Sequence, residues 1–234
     1  MREVDNDKVA VVFLASFASG PWQANCYLVG PDGSDQAIVI DPGVEAADTV
    51  RSALAEYGRR AAGVLLTHGH VDHVADAATV ADEAGVPAWL HSADVELLDD
   101  PASGNPMMAA MIDQLGVSVG TPADLRTIAG GESLEVAGLT FEVVHAPGHR
   151  PGCVMFRLGA DTPEEIVFSG DVLFAGSIGR MDLPGGDSRA MTETLKNVVL
   201  PLPDAAAVLP GHGPATTMAR ERSTNPYLQP SYLR

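Results

Sequence analysis

The amino-acid sequence predicts an α/β fold, and three observations carry that prediction. Short apolar runs of β type alternate with stretches of helical spacing. Glycine and proline, 24 and 17 residues, punctuate them. Polar residues of metal-ligating type stand where the apolar runs end, and ligands of α/β sheets settle at the carboxyl ends of strands.

The chain begins with strands. VAVVFLASF (9–17), NCYLVG (25–30) and QAIVID (36–41) are β-type runs split by turn residues. Residues 46–59 carry alanine, leucine and charged residues at helical spacing and end near Gly58. AGVLLT (62–67) is a buried type of strand, VADAATVADEAG (74–85) a helix stopping at Gly85, and PAWLH (87–91) a short strand. Residues 92–130 are the least regular part and hold Met107, Met108 and Met111. That methionine group reads either as a surface helix closing on the core or as a flexible apolar flap. The second half repeats the pattern: strands over 132–159 and 164–171, a helix at 188–200 and a strand at 205–213. One domain over 1–234 is expected, with a short C-terminal tail.

Composition narrows the class of function. With 46% hydrophobic and 19% charged residues, the chain can bury a sizeable core. A net charge of −17 repels phosphate backbones, so nucleic acid is not an expected partner. The opening MREVDNDKVAVVFLASF has no basic leader region, and no run nears the ~20 apolar residues of a membrane span. A cytoplasmic protein with no membrane partner is the expectation. Cys26 and Cys153 lie in apolar runs; one disulfide is open to them, but two buried thiols fit a reduced compartment better. Lys8 and Lys196 are the only lysines among 14 basic residues, a bias of GC-rich bacterial genomes.

The stretch LLTHGHVDHV (65–74) crowds His68, His70, Asp72 and His73 behind an apolar run. His149 in APGHRPG, Asp171 in FSGDVLF and His212 in LPGHGP occupy similar turns. Half-buried imidazoles and carboxylates need partners, and a metal supplies them. On a tight turn His68 and His70 can chelate one ion while Asp72 and His73 reach a second. His149 completes the first trio, His212 the second, and the two oxygens of Asp171 suit a bridge. Each ion keeps room for solvent, as catalytic sites do. Two ions ~4 Å apart would share a hydroxide of lowered pKa. Nitrogen and oxygen ligands suit zinc first, with iron or manganese also fitting. His91 and His145 match no ligand slot. His91 is expected at the surface, and His145, four residues before His149, in the core or behind the ligands.

These motifs resemble the metallo-β-lactamase superfamily, with its T-H-x-H-x-D-H pattern at 67–73. The resemblance spans nearly the whole chain and implies a four-layer αββα sandwich with the metals at one edge. It also implies that Asp41, in VIDPG, supports the histidine loop from behind. Within the superfamily the chain is most similar to glyoxalase II-like (hydroxyacylglutathione hydrolase-like) enzymes. NCYLV (25–29), HAPGHRPGC (145–153), FSGDVLFAGSIGRMDLPGG (168–186) and LPGHGPATT (209–217) carry that likeness. The likeness implies hydrolysis of a thioester of a low-molecular-weight thiol, as in S-lactoylglutathione to lactate plus thiol. A metal-bridging hydroxide would attack and Asp72 would orient it. β-Lactamases of the main zinc class place a cysteine at the position of Asp171, and the lactone hydrolases of this fold carry a tyrosine soon after it.

Two departures concern the substrate. About twenty residues follow His212, where typical glyoxalase II has a helical glutathione-binding domain. Asp182 stands where an aromatic substrate contact is expected. Arg180 matches a basic thiol-contacting position, or else pins the glycine-rich loop. In a bacterium without glutathione, mycothiol would be the carrier. One rival is a persulfide dioxygenase of the same fold, with one iron on His68, His149 and Asp171. The other is a non-catalytic binding protein, disfavoured because such proteins lose ligands.

Overall fold

The computed structural model describes residues 12–160, 162 and 164–233. Positions 9–11 of the first expected strand lie outside them. The first sheet has six strands in the order β1 (Val12–Ser19), β2 (Ala24–Pro31), β3 (Gln36–Ile40), β4 (Arg60–Leu65), β5 (Ala88–His91) and β6 (Leu125–Ile128). β1 to β3 pair antiparallel, and β3 to β6 run parallel. The second sheet is built from β7 (Ser133–Val136), β8 (Leu139–His145), β9 (Val154–Leu158) and β10 (Ile166–Gly170). After the hairpin of β11 (Leu173–Phe174) and β12 (Ser177–Ile178), it is completed by β13 (Ala207–Pro210) and β14 (Thr216–Thr217). Within it β10 and β13 are parallel and the other pairs antiparallel.

Side-chain alternation turns these sheets into layers, because successive strand residues face opposite sides. Tyr27, Val29, Ile38, Ile40 and Leu65 of the first sheet meet Phe141, Val143, Phe156 and Phe168 of the second in one buried cluster. Their neighbours Cys26, Leu28, Ala37 and Val39 face the other way. Against that outer face pack α1 (Ala47–Glu56), α2 (Val71–Val74) and α3 (Ala77–Ala84), through Val50, Leu54, Val74, Val80 and Ala81. α4 (Glu96–Asp99) and α5 (Pro106–Leu115) follow β5. On the far side Cys153, Met155, Val167 and Val208 take Met191 of α6 (Ser188–Thr194), Leu195 and Val199 of its π-helical extension, and Met218 of α7 (Met218–Thr224). The result is helix, sheet, sheet, helix. Phe141 and Phe156 are fully buried, and truncating either to alanine costs about 3–5 kcal/mol.

Several expectations need correcting. The helix expected over 74–85 breaks at residues 75–76 into α2 and α3, because Asp76 turns to cap α1, accepting from the Ala47 N–H at 2.8 Å. The segment 92–130 is more regular than expected: it holds a 3-10 turn, α4, α5 and the parallel strand β6. α5 is set up locally, since Asn105 caps it by accepting from the Met107 and Met108 N–H groups, with Pro106 at the first turn and Gly116 left-handed at the end. The short C-terminal tail packs on the fold, with Met218 and Leu228 buried in the outer core. Cys26 and Cys153 are buried free thiols, as expected, and burial pushes both thiol pKa values up. No helix among the described residues is long and apolar enough to cross a membrane.

Candidate metal centre

All seven expected ligands converge at one edge of the sandwich. Asp41 follows β3, the histidine loop follows β4, Asp171 follows β10 and His212 follows β13. β3 runs parallel to β4 and β10 to β13, so these pairs deliver their residues at the same end. His149 comes from the connection between β8 and β9. Three groups form, each with ligand atoms within 4.8 Å of one another: His68, His70 and His149; Asp72, His73 and His212; and His68, His73 and Asp171. Asp171 lies between the first two, with Oδ2 3.5 Å from His149 Nε2 and 3.6 Å from His212 Nε2, and Oδ1 3.4 Å from His73 Nε2. His212 Nε2 is 3.2 Å from Asp72 Oδ2. Ligands ~2.0–2.2 Å from a tetrahedral ion lie about 3.3–3.6 Å apart, so the spacing round Asp171 fits one, while His70 Nδ1 and His149 Nε2, 2.8 Å apart, share a hydrogen bond that an ion would replace.

For three of the imidazoles, hydrogen bonds decide which nitrogen faces the centre. Asp41 Oδ1 accepts from the Thr67 N–H at 2.8 Å, and its Oδ2 accepts from Thr67 Oγ1 at 2.6 Å and from His73 Nδ1 at 2.9 Å. Thr67 thus spends its proton on Asp41, and its oxygen accepts from His68 Nδ1 at 3.1 Å. His149 Nδ1 donates to the Arg180 carbonyl at 2.7 Å. These bonds leave Nε2 of His68, His73 and His149 turned inward, the arrangement that raises ligand basicity and fixes ring orientation. His68 Nε2 and Asp171 Oδ1 are buried without a hydrogen bond among the described residues. Orphaned polar atoms of this kind carry a desolvation cost unless a cation takes their lone pairs. Imidazole and carboxylate donors suit a divalent cation, so the residues fit the metal that the sequence predicts.

Electrostatics in the cluster follow from burial and from mutual charge. Burial, then the neighbouring histidines, hold His68 well below the usual imidazole pKa. Burial and His149 lower His70 likewise. Burial opposes charge on His73 as well, but Asp72, Asp171 and Asp41 outweigh it and push its pKa up to about 10. Burial favours neutral Asp72, yet His73 and His212 win and hold its carboxyl below the usual range. Burial works against the charge on His212, while its bond to Asp72 raises it. The metal-free cluster therefore keeps a proton on His73 between carboxylates.

A cavity of about 360 Å³ opens over the centre. Its wall combines His70, Asp72, His149, Asp171 and His212 with Trp22, Met108, Phe174, Ile178 and Leu183. Met108 thus faces the site, whereas Met107 is 76% exposed and points to solvent. Arg180 lines the cavity too, but Asp182 holds it in a two-pronged ion pair at 2.7 and 2.8 Å. The Arg180 backbone carbonyl also orients His149.

The two remaining histidines exchange their expected places. His91 is buried, donating from Nε2 to the Ala129 carbonyl at 3.0 Å and accepting at Nδ1 from the Ala93 N–H at 3.1 Å. His145 is exposed and stacks on His91, with ring centroids 4.5 Å apart. The cause is β5, whose end is covered by the turn before β7, while His145 closes β8 at the rim.

Sequence reasoning missed several supporting residues. Asp94 is fully buried, and its Oδ2 accepts from the Gly69 N–H and its Oδ1 from the Gly152 N–H, both at 2.9 Å. It therefore ties the His68–His70 turn to the loop carrying His149, with buried Arg150 beside it at 3.5 Å. Both glycines are needed, because a Cβ on Gly69 or Gly152 would meet Asp94 at 2.8 or 2.5 Å. Asn25 donates from Nδ2 to the carbonyls of Pro210 and Gly213 at 2.9 and 2.8 Å, and Tyr27 from its hydroxyl to Pro210 at 2.7 Å. That pair sits in the NCYLV run and fixes the His212 turn across the sheets.

Comparison with known proteins agrees with this geometry. Residues 19–212 match the family model described as the metallo-beta-lactamase superfamily. Hydroxyacylglutathione hydrolase GloC of Haemophilus influenzae is 35% identical over 207 residues, covering 88% of this chain and 93% of that protein. The crystal structure of a B3 metallo-beta-lactamase is similar at TM-score 0.80 and 34% identity, covering 93% of this chain and all of that one. A further crystal structure, solved in a di-iron-bound form, is similar at TM-score 0.76 and 36% identity, covering 92% of this chain and 100% of that one. Fold, site and sequence together place the chain in the metallo-beta-lactamase superfamily.

Proposed function

We propose that the protein is a two-metal hydrolase that cleaves thioesters of a low-molecular-weight thiol. One observation carries the two-metal part: Asp72, His73 and His212 form a complete donor set beside His68, His70 and His149, with Asp171 between them. A one-iron persulfide dioxygenase would leave that second set without a task. Thioester cleavage is supported by the likeness to the Haemophilus influenzae hydroxyacylglutathione hydrolase. We assign both metal positions to these seven residues, zinc being the first choice and iron the alternative suggested by the di-iron relative.

A divalent ion bound there supplies Lewis acidity and a water of lowered pKa. The chain's own residues supply position and proton handling. Asp72, ionised beside His73 and His212, accepts a hydrogen bond from the attacking water and keeps it aimed at the carbonyl. The apolar wall of Trp22, Phe174 and Ile178 holds the acyl compound and thins out competing water. A thiolate leaves without a dedicated acid, since thiols have pKa ~8.5.

Metal analysis with a thioester panel tests this reading. The panel compares S-lactoyl esters of glutathione and of mycothiol, with a thiol persulfide and a β-lactam as controls. The expected result is about two ions per chain and thioester hydrolysis lost in His68→Ala and Asp171→Ala. Oxygen uptake with the persulfide and one iron per chain would replace this reading, as would turnover of the β-lactam alone.

A further inference from the structure

We infer that the protein favours substrates whose thiol carrier bears no carboxylate where it meets the cavity rim, and that Asp182 enforces this. The inference rests on the thioesterase reading for its reaction, but its physical basis lies in the cavity wall. Arg180 is the sole lysine or arginine lining the cavity among the described residues. Its guanidinium would be the natural partner of a carboxylate on the thiol carrier. Asp182 has already taken it: Nε and one terminal nitrogen reach the two carboxylate oxygens at 2.7 and 2.8 Å. The pair occupies the Nε edge of the guanidinium and cancels its charge, so an incoming carboxylate meets a neutral pair rather than a free cation.

Arg150, the neighbour of His149, is no substitute. Arg150 is buried, donates to the Pro184 carbonyl at 2.5 Å and faces Asp94 and Glu96 at 3.5 and 3.6 Å. The rest of the wall away from the ligands is Trp22, Val71, Met108, Phe174, Ile178 and Leu183, with a few neutral polar groups. Across the whole chain 31 acidic residues oppose 14 basic ones, so the long-range field away from the metal centre also disfavours anions. An apolar acyl or thiol chain gains by desolvating this wall. A carboxylate placed at the rim would lose water and find the charge of Arg180 already balanced by Asp182.

Two thiols that differ only at the far end test this: 6-mercaptohexanoate and its primary amide. Affinities of both thiols for the zinc-loaded protein are measured by calorimetry, and kcat/KM is measured for the S-acetyl ester of each. Wild type is expected to favour the amide in both readouts. Asp182→Asn should shift the carboxylate-to-amide ratio about fivefold toward the carboxylate, the size of one exposed ion pair. Adding Arg180→Gln to that variant should restore the preference for the amide. A wild type that prefers the carboxylate, or a ratio that Asp182→Asn leaves in place, overturns the inference. If neither ester turns over while the thiols still show the predicted preferences, the charge filter stands and the thioesterase reading falls.

Discussion

Asp41 and His73 meet through a 2.9 Å hydrogen bond between Asp41 Oδ2 and His73 Nδ1, both side chains being buried. A carboxylate can only accept, so the proton of His73 sits on Nδ1 and Nε2 is left for the centre. Asp41 holds this position from a left-handed backbone conformation, φ 51°, just after β3. Aspartate tolerates that region better than most residues.

Asp41→Asn should therefore weaken one metal position more than the other. The amide turns a donor toward Thr67 Oγ1 or His73 Nδ1, both of which donate themselves. We expect affinity at the Asp72–His73–His212 set to fall about 10–100-fold, with a smaller loss at the first set. Competition with a chromophoric chelator measures both steps. Two unchanged affinities would show that Asp41 only fills space.

The proton held on His73 gives a pH dependence. Its folded pKa of about 10 exceeds the unfolded value of ~6.5. The raised value stabilises the metal-free fold fully below about pH 6.5, and that contribution disappears as pH rises through about 10. Metal binding needs the Nε2 lone pair and so displaces a proton. The urea midpoint of the metal-free protein should drop between about pH 7 and 10, and His73→Gln should flatten that drop. A variant whose midpoint falls as steeply as wild type would clear His73 of any part in the pH dependence.

The candidate ligands were legible because each follows an apolar run or sits in a glycine turn, and strand ends are where such runs stop. The layers were legible too, since alternation in NCYLV and QAIVID separates inner from outer faces. β6 was not, for LRTI is short and half-exposed, and its pairing with β5 depends on a partner more than thirty residues away. Asp94 lies in SADVELLDD, within the stretch that the sequence leaves least regular. Only the fold brings Gly69 and Gly152 against it. His91 and His145 changed places because burial there depends on which turn covers β5. Arg180 was readable as a cation in the site, but the two-pronged grip of Asp182 is a side-chain geometry no spacing reveals.

Asp94 offers a direct measure of how far support behind the ligands matters. Asp94→Asn keeps the shape but removes the charge facing buried Arg150, and it sets an amide donor against a backbone N–H. Breaking a buried pair costs roughly 3–5 kcal/mol, about 10 °C of melting temperature for a chain of this size. Because Asp94 joins both loops of the His68–His70–His149 set, zinc affinity there should fall as well. Lost stability with intact affinity would mark Asp94 as a packing residue alone.

Gly211→Ala separates the bridge from its ligands, since it deletes none of them. A Cβ at Gly211 would stand 2.2 Å from Asp171 Oδ1 and 2.7 Å from His73 Cε1. The backbone cannot retreat easily: the Gly211 N–H donates to the Gly170 carbonyl at 2.8 Å, and its carbonyl accepts from the Asn25 N–H at 2.7 Å. Asp171 must swing away instead. A displacement of about 1 Å at a reacting centre costs about 100-fold in rate. The variant should keep its circular dichroism and all seven ligands, yet bind fewer than two ions per chain and lose about 100-fold in thioester turnover. Two ions and a wild-type rate would mean that Asp171 need not bridge.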